Sequence, residues 1–208
     1  MLQRILSVCI GYLFGCFLTA ELVARKFSGK SASELGETGN PGMANIMASL
    51  GFIPGIITLL GDILKCLISM TVSFLLFRKS GWIITMYAGL GCTLGHDFPF
   101  WRRFRGGKGV ATSSAVIVIY HPLLGLLANI AGMLVTFATK YLCIAGPVIP
   151  LFFMLFMFLK GDLEAGILSI VLSALALLCH LPSVFGILKG TTSQTDVLGA
   201  ILKKFRKK

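Results

Sequence analysis

Residues 51–77 read GFIPGIITLLGDILKCLISMTVSFLLF, an apolar run in which Asp62 and Lys65 are the only charged side chains. A helix needs about 20 apolar residues to cross the hydrocarbon of a bilayer, so this run is long enough to span it. Six further apolar runs lie at 6–24, 82–94, 110–120, 123–138, 142–159 and 165–178. The sequence therefore predicts an all-α integral membrane protein with seven transmembrane helices.

The composition of the whole chain is that of a membrane protein rather than a soluble one. The 208 residues are 56% hydrophobic and 13% charged, whereas a soluble domain carries about 25% charged residues. Residues 1–208 are therefore expected to form a single polytopic membrane domain. The net charge of +11 does not indicate a nucleic acid partner, because membrane proteins collect Lys and Arg in their cytoplasmic loops for topological reasons.

The distribution of basic residues predicts the orientation of the chain. With the N-terminus outside, fourteen Lys and Arg residues fall on the inner side and four on the outer side. This asymmetry predicts an outer N-terminus, a cytoplasmic C-terminus and glycine-rich loops on the cytoplasmic side. The basic tail, at about 193–208, either lies on the anionic inner leaflet or acts only as a topological anchor.

Two of the apolar runs, 82–94 and 110–120, are short for a membrane span. Short helices are tolerated where they border a polar cavity rather than lipid, so these two are expected to frame a site.

The six cysteines lie in apolar runs without the spacing of metal ligands. We therefore expect neither a metal nor a cofactor.

The first polar loop, residues 36–45, reads GETGNPGMAN. Its glycines expose backbone N–H groups, and one hydroxyl and two amides stand among them. N–H groups that lead into a helix form a concavity that binds anions, although such a loop taken alone is more often only a turn.

The second polar loop, residues 95–112, reads GHDFPFWRRFRGGKGVAT. Gly-Gly-Lys-Gly before an apolar helix places backbone donors and a fixed cation at a helix N-terminus. The loop is not a nucleotide-binding P-loop, because that motif's first glycine is absent and Gly109 replaces its Ser or Thr. Two such loops on one membrane face predict a phosphorylated substrate, and the hydrophobic remainder of the chain suggests a lipid one.

Asp62 and Lys65 are three residues apart and share one face of a helix inside the membrane. Intramembrane charges are expensive and mark function by default, but a mutual structural pair explains these two equally well. A small transporter would also use such charges, but the chain has no inverted repeat. His180 ends the last apolar run and, taken alone, is only an interfacial histidine.

Five features carry a family resemblance when they are taken in order. They are TGNPGMAN at 38–45, Asp62 with Lys65, GHDFP at 95–99, GGKGVAT at 106–112, and His180 followed by Gly190-Thr191. Together they resemble the bacterial acyl-phosphate-dependent glycerol-3-phosphate acyltransferases of phospholipid biosynthesis, over nearly the whole chain. The resemblance implies seven transmembrane helices, an extracellular N-terminus and a location in the bacterial inner membrane. It also implies transfer of a fatty acyl group from acyl phosphate to the 1-hydroxyl of glycerol 3-phosphate, giving lysophosphatidate.

The resemblance further implies which residues form the site. Lys108, His180 and Thr38 would be catalytic, with Thr38 in place of the usual Ser. Lys108 and the loop N–H groups would hold phosphate, and His180 would orient or deprotonate the glycerol hydroxyl. The implied substrate- and phosphate-binding residues are Gly39, Asn40, Gly42, Asn45, His96, Arg105, Gly106, Gly107, Gly109 and Thr112. Acyl phosphate is already activated, so neither a metal nor a covalent intermediate is required.

Several motif positions depart from the family pattern. Arginine is replaced at three of them, and a serine, an asparagine and a glutamate at three more. The residues that stand there are Glu34, Ala48 and Gly186, and then Gly146, Ser183 and Thr192. Each lost charged hydrogen bond costs roughly 1.5–3 kcal/mol. The alternative is therefore a weak or catalytically silent paralogue that binds a lipid phosphate or a partner protein.

Overall fold

The structure is a computed structural model that describes residues 1–36 and 39–191. Within those ranges the chain forms helices and loops and no β-strand. The α-helices of the described ranges are α1 (Leu2–Gly15), α2 (Thr19–Ser28), α3 (Met43–Leu50), α4 (Phe52–Leu76), α5 (Ile84–Asp97), α6 (Val110–Tyr120), α7 (Pro122–Thr139), α8 (Ala145–Leu159) and α9 (Leu163–Leu188). Thr38, Thr192 and the basic tail lie outside the described residues, so the predictions about them stay predictions.

In the part of the chain that the structure describes, five helical segments are long and apolar enough to cross a membrane. They are Leu2–Ser28, Phe52–Leu76, Pro122–Thr139, Leu142–Leu159 and Leu163–Leu188. The two runs predicted to be short form α5 and α6, of 14 and 11 residues. The predicted all-helical architecture is confirmed, whereas the number of seven spans stays a prediction.

The first predicted span, 6–24, is two helices rather than one. α1 ends at Gly15 and α2 begins at Thr19, so residues 16–18 interrupt the helix. An interruption at membrane depth leaves carbonyl groups without intrahelical partners, and other parts of the protein must satisfy them. The last run differs in the opposite sense, because α9 continues to Leu188 and His180 lies inside this helix rather than at its end.

α1 and α5 pack with their backbones almost in contact. A Cβ atom on Gly11 would lie 1.9 Å from the carbonyl oxygen of Ala88, and one on Gly95 would lie 2.1 Å from that of Tyr12. Only glycine fits such a contact, and small residues are the usual means by which membrane helices approach closely. The contact fixes the C-terminal end of α5, on which the second polar loop is built.

The ends of the helices form two groups. The loop end carries the two polar loops and the C-terminal part of α9, and the distal end carries the turns after α4, α6 and α8. At the distal end Arg4 donates to Glu164 through Nε and Nη2 at 2.5 and 2.9 Å. Tyr87 donates to the same carboxylate at 2.6 Å. These side chains join α1, α5 and α9 at the distal end.

Candidate functional site

The glycines of the second polar loop pack onto the C-terminal end of α5. The N–H of Gly106 donates to the Asp97 carbonyl and that of Gly107 to the His96 carbonyl, each at 2.9 Å. A Cβ atom on Gly107 would lie only 2.0 Å from Nε2 of His96. These two N–H groups therefore donate within the protein, and the expectation that the loop N–H groups hold phosphate stays a prediction.

Gly109 turns the chain into α6. Its φ of 68° is left-handed, a conformation that favours glycine, and a Cβ atom there would meet Oδ2 of Asp97 at 2.7 Å. The first N–H groups of α6, at residues 110–112, have no acceptor within the helix and favour an anion in front of them. The hydroxyl of Thr112 is buried and donates to the Gly109 carbonyl at 3.1 Å, so it stabilises the turn.

Lys108 reaches from this loop to α9. Its Nζ donates to Oγ of Ser183 at 3.4 Å, and His180 lies one helical turn before that serine. His180 is buried, and its Nδ1 lies 2.7 Å from the Ala176 carbonyl oxygen. A carbonyl can only accept, so Nδ1 carries the proton and Nε2 of the neutral ring is left as a base.

Gly146, at the start of α8, lies against the His180 ring. A Cβ atom at this position would be 2.8 Å from Cε1 of His180 and 3.3 Å from Cγ2 of Val110. The start of α8 therefore lies against both the His180 ring and the N-terminus of α6. The structure thus brings Lys108, His180 and the α6 N-terminus together, as the sequence led us to expect, while their catalytic roles stay predictions.

The first polar loop is held by a buried asparagine. Asn45 donates through Nδ2 to the carbonyl oxygens of Leu35 at 3.0 Å and Ala32 at 3.4 Å. Gly39 has a left-handed φ of 55°, and a Cβ atom on it would lie 2.8 Å from the Ser33 carbonyl oxygen. The Asn45 amide thus fixes the backbone that leads into the loop, in addition to the substrate contact that the resemblance implies.

Asn40 and Gly42 form a tight turn in the same loop. The Gly42 N–H donates to the Asn40 carbonyl at 2.8 Å, and Gly42 then caps the N-terminus of α3. Thr38, the predicted hydroxyl of this loop, precedes the turn and lies outside the described residues.

A cavity of about 430 Å³ opens between the two polar loops. Its lining residues are Ser33, Gly39, Pro41, Trp101, Arg102, Arg103, Arg105 and Gly106. Three of them are arginines, and Nη1 of Arg102 forms an ion pair with Oε2 of Glu21 at 3.5 Å. Glu21 also accepts from Arg25 at 2.7 Å, so positive charge exceeds negative charge around the cavity. A dianion such as phosphate fits this balance.

Arg102 and Arg103 were absent from the residues inferred from the sequence. The signal was present, because RRFR at 102–105 directly precedes the Gly-Gly-Lys-Gly motif. Arg103 adopts a left-handed φ of 52° and Phe104 one of 58°, which non-glycine residues rarely do. Such outliers are frequent where a backbone is held for function.

Asp62 and Lys65 form a buried pair, with Nζ of Lys65 2.9 Å from Oδ1 of Asp62. The same Nζ lies 2.8 Å from Nδ1 of His96. His96 is buried, with one ring nitrogen at Lys65 and the other against Gly107. Of the two explanations left open by the sequence, mutual pairing is therefore observed, and His96 is held inside the protein behind the loop.

The fold defines a class of protein: a multi-pass membrane protein, helical throughout the described residues, that carries glycine-rich loops and an arginine-lined cavity at one end of its helices. A model of the glycerol-3-phosphate acyltransferase family matches residues 5–190 of the chain. The chain therefore belongs to the glycerol-3-phosphate acyltransferase family.

Curated relatives agree with this membership. Glycerol-3-phosphate acyltransferase 1 of Lactobacillus acidophilus is 38% identical, over 98% of this chain and 97% of the relative. The glycerol-3-phosphate acyltransferase of Thermoanaerobacter pseudethanolicus is 33% identical, over 93% of this chain and 96% of the relative.

Two solved structures share the fold. The crystal structure of PlsY (YgiH), an integral membrane glycerol 3-phosphate acyltransferase, in its glycerol 3-phosphate form aligns with a TM-score of 0.81 at 27% identity. That alignment covers 95% of this chain and 98% of the other. The lysophosphatidic acid form of PlsY gives the same TM-score at 25% identity, over 96% and 98% of the two chains.

Proposed function

We propose that this protein transfers a fatty acyl group from acyl phosphate to the 1-hydroxyl of glycerol 3-phosphate, releasing lysophosphatidate and inorganic phosphate. The observation that carries the proposal is the meeting of Lys108 with α9 one turn from His180, in front of the α6 N-terminus. This arrangement offers a cation, helix N–H groups and a base within one small region. Family membership supplies the acyltransferase activity and the glycerol 3-phosphate acceptor.

Lys108 and the α6 N-terminus hold the phosphate of the acyl phosphate. When the acyl–oxygen bond breaks, negative charge grows on the departing phosphate, and the ammonium and helix N–H groups stabilise that charge. Both are fixed before the reaction starts, because the loop is anchored to α5 through the carbonyls of His96 and Asp97.

His180 acts on the glycerol hydroxyl. The hydroxyl oxygen attacks the acyl carbon, the bond from that carbon to the phosphate oxygen breaks, and the hydroxyl proton goes to Nε2 of His180. The hydrogen bond from Nδ1 to the Ala176 carbonyl keeps Nε2 unprotonated and fixes the direction of the ring.

The arginine-lined cavity holds the phosphate of glycerol 3-phosphate. Arg102, Arg103 and Arg105 supply cations that the chain lacks at Ala48 and Gly186. Glu34 replaces another family arginine, and its carboxylate accepts from the Ser31 N–H at 2.7 Å as a helix cap. Each of the two substrate phosphates thus has its own binding region, which favours an active enzyme over a silent paralogue. Because several motif residues are altered, we expect its turnover to be slow.

The proposed setting is a bacterial inner membrane, with the N-terminus outside and the loop end in the cytoplasm. The basic residues of the second polar loop motivate this orientation. A cysteine introduced at position 103 should resist an impermeant maleimide added to intact cells and react after lysis, and ready labelling from outside would contradict the orientation.

The direct test is an assay of the purified protein in nanodiscs with palmitoyl phosphate and glycerol 3-phosphate. We expect phosphate and lysophosphatidate to appear in equal amounts, and Lys108→Ala to slow their release about a hundredfold to a thousandfold. Lys160→Ala at the distal end is the matched control and should turn over like the wild type. Acyl phosphate binding without any turnover of a folded wild-type protein would reject the proposal in favour of the silent paralogue.

A further inference from the structure

The buried Asp62–Lys65 pair takes no part in the reaction proposed above. Asp62 is 1% exposed and Lys65 4% exposed, in the middle of a helix long enough to cross a membrane. Placing two charges there is expensive, and they are tolerated only where the protein pairs and hydrogen-bonds them. Their contacts therefore indicate what they hold.

The first set of contacts closes the interruption between α1 and α2. Nζ of Lys65 donates to the carbonyl oxygens of Phe17 at 2.9 Å and Gly15 at 3.3 Å, two groups at the interruption. Oδ1 of Asp62 accepts from the hydroxyl of Thr19, the first residue of α2, at 3.4 Å. The pair thus fixes the shape of the broken helix.

The second contact leads to the glycine loop. An ammonium can only donate, so Lys65 donates to Nδ1 of His96 at 2.8 Å and the neutral ring carries its proton on Nε2. That edge of the ring lies against Gly107, whose N–H donates to the His96 carbonyl at 2.9 Å. Lys65 is therefore one side chain away from the loop that presents Lys108.

A third connection joins the same interruption to the second polar loop directly. Nε1 of Trp101 donates to the Cys16 carbonyl oxygen at 2.7 Å. The hydroxyl of Tyr12 donates to the Phe98 carbonyl at 2.8 Å. The beginning of the loop that carries the arginines, at Phe98 and Trp101, is thus bound to the broken helix that Lys65 holds.

We propose that Asp62, Lys65 and His96 are positioning residues, which act through the helix interruption and through Gly107 to set the place of Lys108. The proposal rests on the proposed function in one respect, namely that Lys108 acts on phosphate. The buried charges are then needed for the geometry of the loop, beyond their contribution to folding.

The test uses Trp101 as a reporter of the loop. The chain has two tryptophans, so Trp82→Phe leaves Trp101 as the only source of tryptophan emission. In that background, Asp62→Asn with Lys65→Met removes both charges together and leaves no unpaired ion in the interior. We expect a folded helical protein in which Trp101 is more readily quenched by acrylamide. Its kcat/KM for palmitoyl phosphate should fall about a hundredfold, the effect of a misplaced catalytic group.

A second pair of variants covers the case in which the double variant does not fold. His96→Asn keeps an acceptor near the position of Nδ1, and His96→Leu has similar size without one. We expect His96→Asn to retain more activity and more Trp101 protection than His96→Leu, which a purely steric role of the ring would not produce. Equal behaviour of the two would overturn the proposal.

The control removes an ion pair from the distal end. Arg4→Gln with Glu164→Gln should leave Trp101 quenching and kcat/KM unchanged. A folded Asp62–Lys65 double variant with the quenching and kinetics of the wild type would also overturn the proposal. Absence of turnover in the wild type would reject the proposed function alone, because the quenching comparison is read without any reaction.

Discussion

The distal end and the loop end of the molecule use their polar side chains in different ways. At the distal end, side chains meet side chains: Arg4 and Tyr87 both bind Glu164, and Tyr120 binds Asp162. At the loop end, several side chains bind backbone carbonyls in addition to binding one another.

The loop-end donors join residues that are between 10 and 85 positions apart in the sequence. Lys65 binds the carbonyls at residues 15 and 17, Trp101 binds that of Cys16, and Asn45 binds that of Leu35. Side-chain pairs hold helices together, whereas donors to carbonyls fix the course of a backbone. A site made of helix N–H groups and one lysine on a loop needs the second kind of support.

Among the variants that compare the two ends, the largest effect is expected from adding one methyl group at the loop end. Gly107→Ala would place a Cβ atom against the His96 ring and push the loop away from α5. We expect turnover to fall about a hundredfold. The control is Gly161→Ala at the distal end, where the φ of 81° costs about 1 kcal/mol of stability but the surroundings are open. The measurement compares the turnover and the melting temperature of the two variants. Equal losses of turnover in both would contradict the contrast between the two ends.

The next effect concerns the arginine-lined cavity. Arg102→Ala with Arg103→Ala removes two guanidinium groups that face it. We expect the KM for glycerol 3-phosphate to rise about tenfold to a hundredfold, the equivalent of one or two charged hydrogen bonds. The KM for palmitoyl phosphate should change much less. Lys79→Ala, which removes an exposed cation at the distal end, tests whether loss of positive charge alone is enough.

A smaller effect, of opposite sign, is expected from restoring family residues. Ala48→Arg, Ser183→Asn and Gly186→Arg together return groups that the motif has elsewhere, and Ser183 is the residue that Lys108 contacts. We expect kcat to rise several-fold, with effects of the single changes that do not add because they share one site. The same triple variant with Lys108→Ala should be inactive. Wild-type turnover equal to that of a relative with an intact motif would show that these departures matter little.

The smallest effect is expected at the distal end itself. Arg4→Gln with Glu164→Gln should lower the melting temperature slightly and leave kcat and both KM values unchanged, because partly exposed ion pairs contribute little. A clear loss of activity in this variant would mean that the two ends are coupled.

Long apolar runs predicted most of the fold. The run at 51–77 became α4, Phe52–Leu76, almost without change, because burial in lipid or protein rewards the same residues along the whole helix. The interruption at 16–18 gave no such signal, since Cys-Phe-Leu is as apolar as any helical stretch. Its cause lies far away in sequence, in Lys65 and Trp101, and only tertiary contacts reveal it.

The site shows the same division. Lys108 and His180 could be identified from the residues and their motif. In the structure Lys108 contacts Ser183, which lies one helical turn after His180. The sequence could not show that the N–H groups of Gly106 and Gly107 bind carbonyls of α5. Which donors a loop leaves for a ligand depends on what the loop packs against. Arg105 was identified because it takes a motif position, whereas Arg102 and Arg103 take none.

The buried pair in α4 also bears on how the chain enters the membrane. Synthesis proceeds from the N-terminus, so α1, α2 and α4 are made before α5. Lys65 finds Asp62 and the carbonyls of Gly15 and Phe17 within this early group of helices. Apart from His96, the partners of both charges are therefore synthesised before α5. The order of synthesis thus supplies each of the two charges with a partner before the remaining helices are made.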